Sequence, residues 1–172
     1  MPPKIYNKVV VADDNDNVIG AEFMMDSIAK GFIRRAARVY VFNESGELLV
    51  QQRSSRVLKP LLLDQSAAGH VDEGESYLEA AKRELFEELG LSGYELTEIA
   101  MSFRTTDFFN AIYRIVIPDD TAINFDREEL EQVMWMKTAE VDEQMRDTPE
   151  KFTPAFLEAW SALHPKLITA IN

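Results

Sequence analysis

Apolar and polar residues alternate in several short segments of this chain, and turn-forming residues separate these segments. A period of two is typical of a half-buried strand, while clusters of Gly, Asn, Asp and Ser mark turns. The alternation predicts strands near residues 5–11, 36–43, 47–53, 95–103, 108–117 and 131–137. Turn clusters at residues 13–17, 44–46 and 104–107 predict hairpins, the first of which spans residues 5–24.

The clearest helical pattern lies at residues 76–89. Ser76 and Glu79 have the spacing of a capping box, and Gly90 is a C-terminal stop signal. The apolar positions of this segment recur every three or four residues, which predicts a stripe that anchors the helix on the core. The members of this predicted stripe are Leu78, Ala81, Leu85 and Leu89.

Three further segments have helical character. A short helix is predicted to start at Asp26-Ser27 and to end at Gly31, and two others lie near residues 139–146 and 153–162. Strands enclosed by helices in this order indicate an α/β fold, a sandwich with a mixed β-sheet. The length of 172 residues fits one domain, residues 1–172, with an N-terminal hairpin extension at 1–31 and a core at 32–172.

Composition and charge exclude several function classes. The chain has 30 acidic and 18 basic side chains, and its net charge of −12 argues against nonspecific nucleic-acid binding. It has no apolar run of about 18 residues and no signal-peptide pattern, so we expect no membrane span and a cytoplasmic enzyme. The absence of cysteine excludes disulfides, thiol nucleophiles and cysteine zinc sites. Whether the protein forms a homodimer is left open.

Three carboxylates on the predicted helix point to metal chemistry. Glu84, Glu87 and Glu88 are three and four residues apart, so they share one side of the helix, on a stripe adjacent to the apolar one. They repel one another unless a positive charge lies among them. A hard divalent cation with oxygen ligands meets this need, and Mg²⁺ or Mn²⁺ is the expected ion.

The segment that contains these carboxylates has a specific spacing pattern. Residues 69–91 read GHVDEGESYLEAAKRELFEELGL: Gly69, five residues, Glu75, seven residues, then Arg83-Glu84-Leu85-x-Glu87-Glu88-x-Gly90-Leu91. This pattern resembles the signature of the Nudix hydrolases, with every defining position filled. The resemblance implies a Nudix-type α/β/α sandwich with a mixed sheet. It also implies hydrolysis of a diphosphate linkage in a nucleoside diphosphate derivative or a related small molecule.

The resemblance also implies roles for individual residues. Glu87 and Glu88 are expected to be the principal metal ligands, and Glu84 is expected to be either a third ligand or the general base. The Ala68 carbonyl is a further candidate ligand. Structural support is expected from Arg83, which orients the carboxylates, from its partner Glu75, and from Gly69.

A further catalytic carboxylate is expected from a later loop. In the Nudix pattern it lies six residues before a tryptophan of the late strand, and Trp135 therefore indicates Glu129. Its neighbours Glu128 and Glu131 are alternatives.

Basic residues after the second predicted hairpin are candidates for substrate binding. Arg53 ends a strand that should run beside the site, and its guanidinium suits bidentate phosphate contact. Lys59 follows on the next loop. The alternatives for this role are Arg34, Arg35, Arg38 and Arg56.

A narrower resemblance, to type I isopentenyl diphosphate isomerase, rests on the N-terminal hairpin, FNESGELLVQQR, Lys59-Pro60 and GHVDEGES. The isomerase pattern places a catalytic cysteine directly before Gly-His, where this chain has Ala68, and metal-binding histidines in its N-terminal half. Arg34 stands at one of those histidine positions. The hydrolase is therefore the favoured interpretation. The isomerase and a catalytically silent nucleotide-binding module remain as alternatives.

Overall fold

The computed structural model describes residues 7–169, in which the strands form one mixed sheet and the helices pack against it. The strands are β1 (Lys8–Ala12), β2 (Val18–Phe23), β3 (Ile33–Asn43), β4 (Glu47–Arg53), β5 (Leu63–Asp64), β6 (Ala67–His70), β7 (Thr97–Arg104), β8 (Phe108–Ile117) and β9 (Leu130–Lys137). The helices are α1 (Met24–Ala29), α2 (Tyr77–Leu89), α3 (Thr138–Asp147) and α4 (Pro154–Ile168), with a 3₁₀ turn at Pro149–Lys151. Within this range, no helix is long and apolar enough to cross a membrane.

The long strand β3 organises the sheet. It runs parallel to β8, from Arg34 opposite Phe108 to Asn43 opposite Ile117. On its other side it pairs antiparallel with β6, where Ala36 lies opposite His70. This register brings β6, which leads into α2, beside the first half of β3.

Helices cover both faces of the sheet. Side chains of α2 pack with alternate residues of β3, including Val39 and Val41, in one buried cluster. Helices α3 and α4 pack on the opposite face in a second cluster, which contains Tyr40 and Phe42 of the same strand. The predicted α/β/α sandwich with a mixed sheet is therefore confirmed.

Most predicted elements are present, with shifted ends. Two predicted hairpins form as β3–β4 and β7–β8, and the first hairpin forms as β1–β2, although residues 5 and 6 lie outside the described range. Helix α2 has both predicted caps: the Ser76–Glu79 capping box and a left-handed Gly90 with φ of 68°. Strands β5 and β6 were not predicted, because segments of two and four residues are too short for an alternation to show.

The predicted apolar stripe of α2 is wrong at one position. Leu78 is 40% exposed, whereas Tyr77 and Ala80 are buried. The buried face also includes Glu84 and Glu88, which are only 4% and 5% exposed. Glu84 and Glu88 thus point inward with the apolar residues and do not form an exposed edge beside them, whereas Glu87 is partly exposed.

The N-terminal hairpin is fixed to the core through Asp16, which is buried in the β1–β2 turn. Its carboxylate accepts hydrogen bonds from Arg35 Nε at 2.7 Å, from the Tyr77 hydroxyl at 3.0 Å and from the Ser102 hydroxyl. Tyr77 is the first residue of α2, so the hairpin contacts the helix that carries the carboxylates. The division of the chain at residue 31 into an extension and a core stays a prediction.

Replacing Asp16 by alanine should lower the free energy of unfolding by about 2–3 kcal/mol, because Arg35 and the Tyr77 hydroxyl lose their buried acceptor. Urea unfolding followed by circular dichroism measures this change. Asp14→Ala is the matched control, since Asp14 lies exposed in the same turn. Equal stability of the two variants would show that the Asp16 contacts do not hold the hairpin.

Candidate active site

Arg83 is the centre of the charged network on α2. Its Nε and Nη2 donate to the two oxygens of Glu75, at 2.7 and 2.9 Å. Its Nη1 donates to Glu84 at 2.6 Å and lies 3.4 Å from Glu87, while Nη2 also reaches the His70 carbonyl at 3.0 Å. One guanidinium therefore ties the loop after β6 to the carboxylates of the helix.

The pKa values of Arg83 and Glu75 follow from these contacts. Burial alone would lower the pKa of Arg83, but the Glu75 hydrogen bond and the Glu84 charge outweigh it and raise the pKa above its usual value. Burial raises the pKa of Glu75, yet the hydrogen bonds from Arg83 and from the Asp72 amide keep it below its usual value. Both groups stay charged at neutral pH, so the ion pair between them persists there.

Gly69 is required by the position of Glu84. A Cβ atom at residue 69 would lie 2.1 Å from Glu84 Oε1 and 2.2 Å from its carboxyl carbon. Real Cβ atoms do not approach so closely, so the Glu84 carboxylate lies where a side chain would otherwise be. The pattern position Gly69 thus creates the space for a buried acid.

Glu88 is held by two donors from the sheet. Gln51 Nε2 donates to Glu88 Oε2 at 2.7 Å, and the Ala68 amide donates to the same oxygen at 3.3 Å. Gln51 comes from β4 and Ala68 from β6, so two strands fix this carboxylate. Sequence reasoning missed Gln51, and its inward position in the alternation of β4 was the available signal.

In the described part of the chain, no three His, Cys, Asp or Glu side chains come together, as they stand, to hold a metal ion. Arg83 supplies the positive charge among Glu84 and Glu87 instead. The donors nevertheless suit a hard cation, because carboxylates and a backbone carbonyl are the ligands that Mg²⁺ and Mn²⁺ prefer. The Glu87 side chain is 16% exposed, so an ion from solvent can approach its carboxylate.

The loop before β9 is attached next to this helix. The Asp126 amide donates to the Glu88 carbonyl at 2.9 Å, and the Glu129 carbonyl accepts from the Ser54 amide at 2.8 Å. Glu129 is half-buried, whereas Glu128 is exposed and pairs with Arg56. The catalytic role of Glu129 stays a prediction, and so does ligation by the Ala68 carbonyl.

The two predicted substrate-binding residues differ in their surroundings. Arg53 ends β4 and donates to the Leu58 carbonyl at 2.9 Å and to the buried Asp64 at 3.4 Å, so it is partly neutralised. Lys59 lies exposed on the following loop with a φ of 53°. Phosphate contact by either residue stays a prediction.

His70 is the last residue of β6. Burial lowers the pKa of His70 to about 3, with further lowering by the charges of Arg34, Arg38, Arg53 and Arg83. The imidazole is therefore neutral near pH 7.

Comparisons with known proteins identify the pattern. The NUDIX domain model matches residues 32–156. The chain is 32% identical over 164 residues to an uncharacterized Nudix hydrolase of Yersinia pestis, covering 93% of this chain and 87% of the relative. It is 31% identical over 157 residues to an isopentenyl-diphosphate Delta-isomerase of Pectobacterium atrosepticum, covering 87% of each. The crystal structure of DR0079 from Deinococcus radiodurans has the same fold, with a TM-score of 0.79 at 24% identity over 91% of this chain and 99% of that one.

Proposed function

The chain belongs to the Nudix hydrolase family, whose members act on phosphoric anhydride bonds, and we propose that it cleaves a nucleoside diphosphate derivative or a related small diphosphate in a metal-dependent reaction. One observation carries the assignment of the site. Gly69, Glu75, Arg83 and Glu84 are connected in a single network in which each residue needs the others. A decayed or merely solvated acidic helix would not keep this network, which also argues against a silent binding module.

Each residue of the network has a distinct part in this proposal. Glu87 and Glu88 are the principal ligands of Mg²⁺ or Mn²⁺, with the Ala68 carbonyl, while Glu84 is either a third ligand or the general base. The ion supplies charge neutralisation at the phosphates and acidification of the attacking water. Gln51 and the Ala68 amide orient Glu88, and Arg83 orients Glu84.

The proposal predicts that turnover needs a divalent metal and rises toward alkaline pH, because the attacking water must lose a proton. The assay measures phosphate release from a panel of nucleoside diphosphate derivatives with Mg²⁺, and again with excess EDTA. We expect hydrolysis of at least one member with Mg²⁺ and none with EDTA. Undiminished turnover in EDTA would refute the metal dependence.

The isomerase is the second candidate, because two relatives at 31% identity carry that name. Its reaction needs an acid poised against an alkene. The methyl group of Ala68 cannot transfer a proton, and Arg34 replaces a metal-binding histidine of the isomerase pattern. We therefore expect NMR of isopentenyl diphosphate incubated with the protein and Mg²⁺ to show no double-bond migration. Migration at enzymatic rates would overturn the hydrolase assignment.

A further inference from the structure

Basic side chains gather on the face of β6 opposite the carboxylates. Arg34 and Arg38 of β3 lie in register with Phe108 of β8 and Ala68 of β6, and His70 lies opposite Ala36. Because side chains at alternate positions share one face, these residues face away from α2. Arg34, Arg38, His70 and the nearby Arg53 are called the basic cluster below.

Two members of the basic cluster, Arg34 and Arg38, are buried without a paired carboxylate, whereas Arg53 lies 3.4 Å from Asp64. Arg34 and Arg38 are only 6% and 5% exposed, and neither forms an ion pair with any residue from 7 to 169. Arg38 Nε donates to Asn110 at 2.6 Å, whereas Arg34 Nε and His70 Nε2 have no hydrogen-bond partner in that range. Burial lowers the pKa of both arginines, which reflects the cost of removing these charges from water.

Phe108 compensates only part of this cost. The Arg34 guanidinium lies 4.6 Å and the Arg38 guanidinium 5.4 Å from the centre of the Phe108 ring. Such contacts stabilise a cation but cannot neutralise it. An oxyanion is the ligand that two buried guanidiniums would bind most strongly, because its hydrogen bonds with them are charge-assisted.

Strand β6 lies between the basic cluster and the carboxylate network. The Ala68 amide contacts Glu88, and the His70 carbonyl accepts from Arg83, while the side chains of these two residues belong to the other face. Residues Ala68, Gly69 and His70 are partly exposed, and β6 pairs only with β3 among the described strands. One strand separates the two sets of residues, so an extended ligand that passes over the partly exposed residues of β6 can reach both.

We propose that the basic cluster binds a second oxyanion of the substrate, a phosphoryl or carboxylate group carried in addition to the diphosphate that is cleaved. This inference rests on the proposed function, since it places the diphosphate at the carboxylate network. It defines a substrate class: diphosphates whose other part is itself anionic. A substrate with a neutral group there leaves Arg34 and Arg38 unpaired and binds less tightly.

The test is calorimetric binding to the metal-free full-length protein in EDTA, where no turnover is needed. Two probe pairs differ by one oxyanion: GTP against GDP for a phosphoryl group, and UDP-glucuronate against UDP-glucose for a carboxylate. We expect the member with the additional oxyanion, GTP or UDP-glucuronate, to bind about tenfold more tightly in at least one pair, as charge-assisted hydrogen bonds allow. The pair that shows the difference identifies the source of the oxyanion. No preference in either pair overturns the proposal.

Arg34→Gln and Arg38→Gln should each abolish most of this preference, and either variant suffices if the other does not fold. Arg114→Gln is the matched control. Arg114 is 4% exposed, also has unpartnered nitrogens among the described residues, and lies on the same face of β8, but about 20 Å along the strand from Phe108. A preference that survives in the Arg34 and Arg38 variants, or disappears in the Arg114 variant, overturns the proposal.

Failure of this inference can be told from failure of the proposed function. Binding with the expected preference but without any Mg²⁺-dependent hydrolysis would refute the hydrolase and leave the basic cluster as an anion site. Hydrolysis without the preference would support the hydrolase and refute the basic cluster as an anion site.

Discussion

Replacing Gly69 by alanine is expected to lower kcat on the order of 10², while the protein still folds. The added methyl group would meet the Glu84 carboxylate, whose Oε1 lies 2.1 Å from the Cβ position. The clash involves only the end of a flexible side chain, so the protein still folds, but the lost Arg83–Glu84 contact lowers its stability. Glu84 then leaves its place beside Arg83, and the proposed ligand or base is misplaced.

Steady-state kinetics together with urea unfolding separate these two effects. Gly93→Ala is the informative control, because Gly93 has a φ of 81° and a Cβ there would meet nothing within 4 Å. That variant should lose about 1–2 kcal/mol of stability through backbone strain while keeping its kcat. If Gly69→Ala retained full activity, Glu84 would have no role that depends on its position.

The second large effect is expected from Glu88→Gln, which keeps the shape of the side chain and removes its charge. We expect kcat to fall on the order of 10² or more if the carboxylate is a metal ligand. The fold should survive, because the remaining amide oxygen can still accept from Gln51 and from the Ala68 amide. Steady-state kinetics with saturating Mg²⁺, accompanied by circular dichroism, provide the measurement.

Glu73→Gln is the control for charge alone, since Glu73 belongs to the same segment but lies exposed in the loop before α2. It should retain wild-type activity. Near-full activity of both Glu87→Gln and Glu88→Gln would remove the basis for placing the metal site on this helix.

Local signals made α2 predictable from the sequence. The Ser76–Glu79 capping box and the left-handed Gly90 involve residues close together in the chain, and both are present in the structure. Strand β6 was not predictable in this way, because Ala67–His70 carries no alternation and is a strand only through its pairing with β3. A single short segment does not contain that tertiary information.

The orientation of the acidic residues shows the same limit. Periodicity placed Leu78 in the core and the carboxylates beside it, yet Leu78 is exposed and Glu84 and Glu88 are buried. The reason lies on two strands of the sheet, since Gly69 of β6 leaves space for Glu84 and Gln51 of β4 binds Glu88. The spacing of the pattern predicted which residues meet, but the direction in which they point depends on partners distant in the chain.

Arg53 shows what charge alone does not reveal about a side chain. Its place at the end of β4 was predicted correctly, but the sequence did not show that Asp64 and the Leu58 carbonyl would take up its donors. Arg34 and Arg38, by contrast, are buried on a face that the sequence did not distinguish from any other. Their lack of an ion-pair partner among residues 7–169 became visible only in the fold.

The central claim is that the carboxylates of α2 hold the catalytic metal, and Mn²⁺ binding measured by electron paramagnetic resonance tests it most directly. The signal of free Mn²⁺ is followed while the protein is titrated, for the wild type and for the Glu87→Gln/Glu88→Gln double variant. We expect the wild type to remove Mn²⁺ from solution and the double variant to bind at least tenfold more weakly, with an unchanged circular dichroism spectrum. Equal Mn²⁺ affinity in the two proteins would contradict the account.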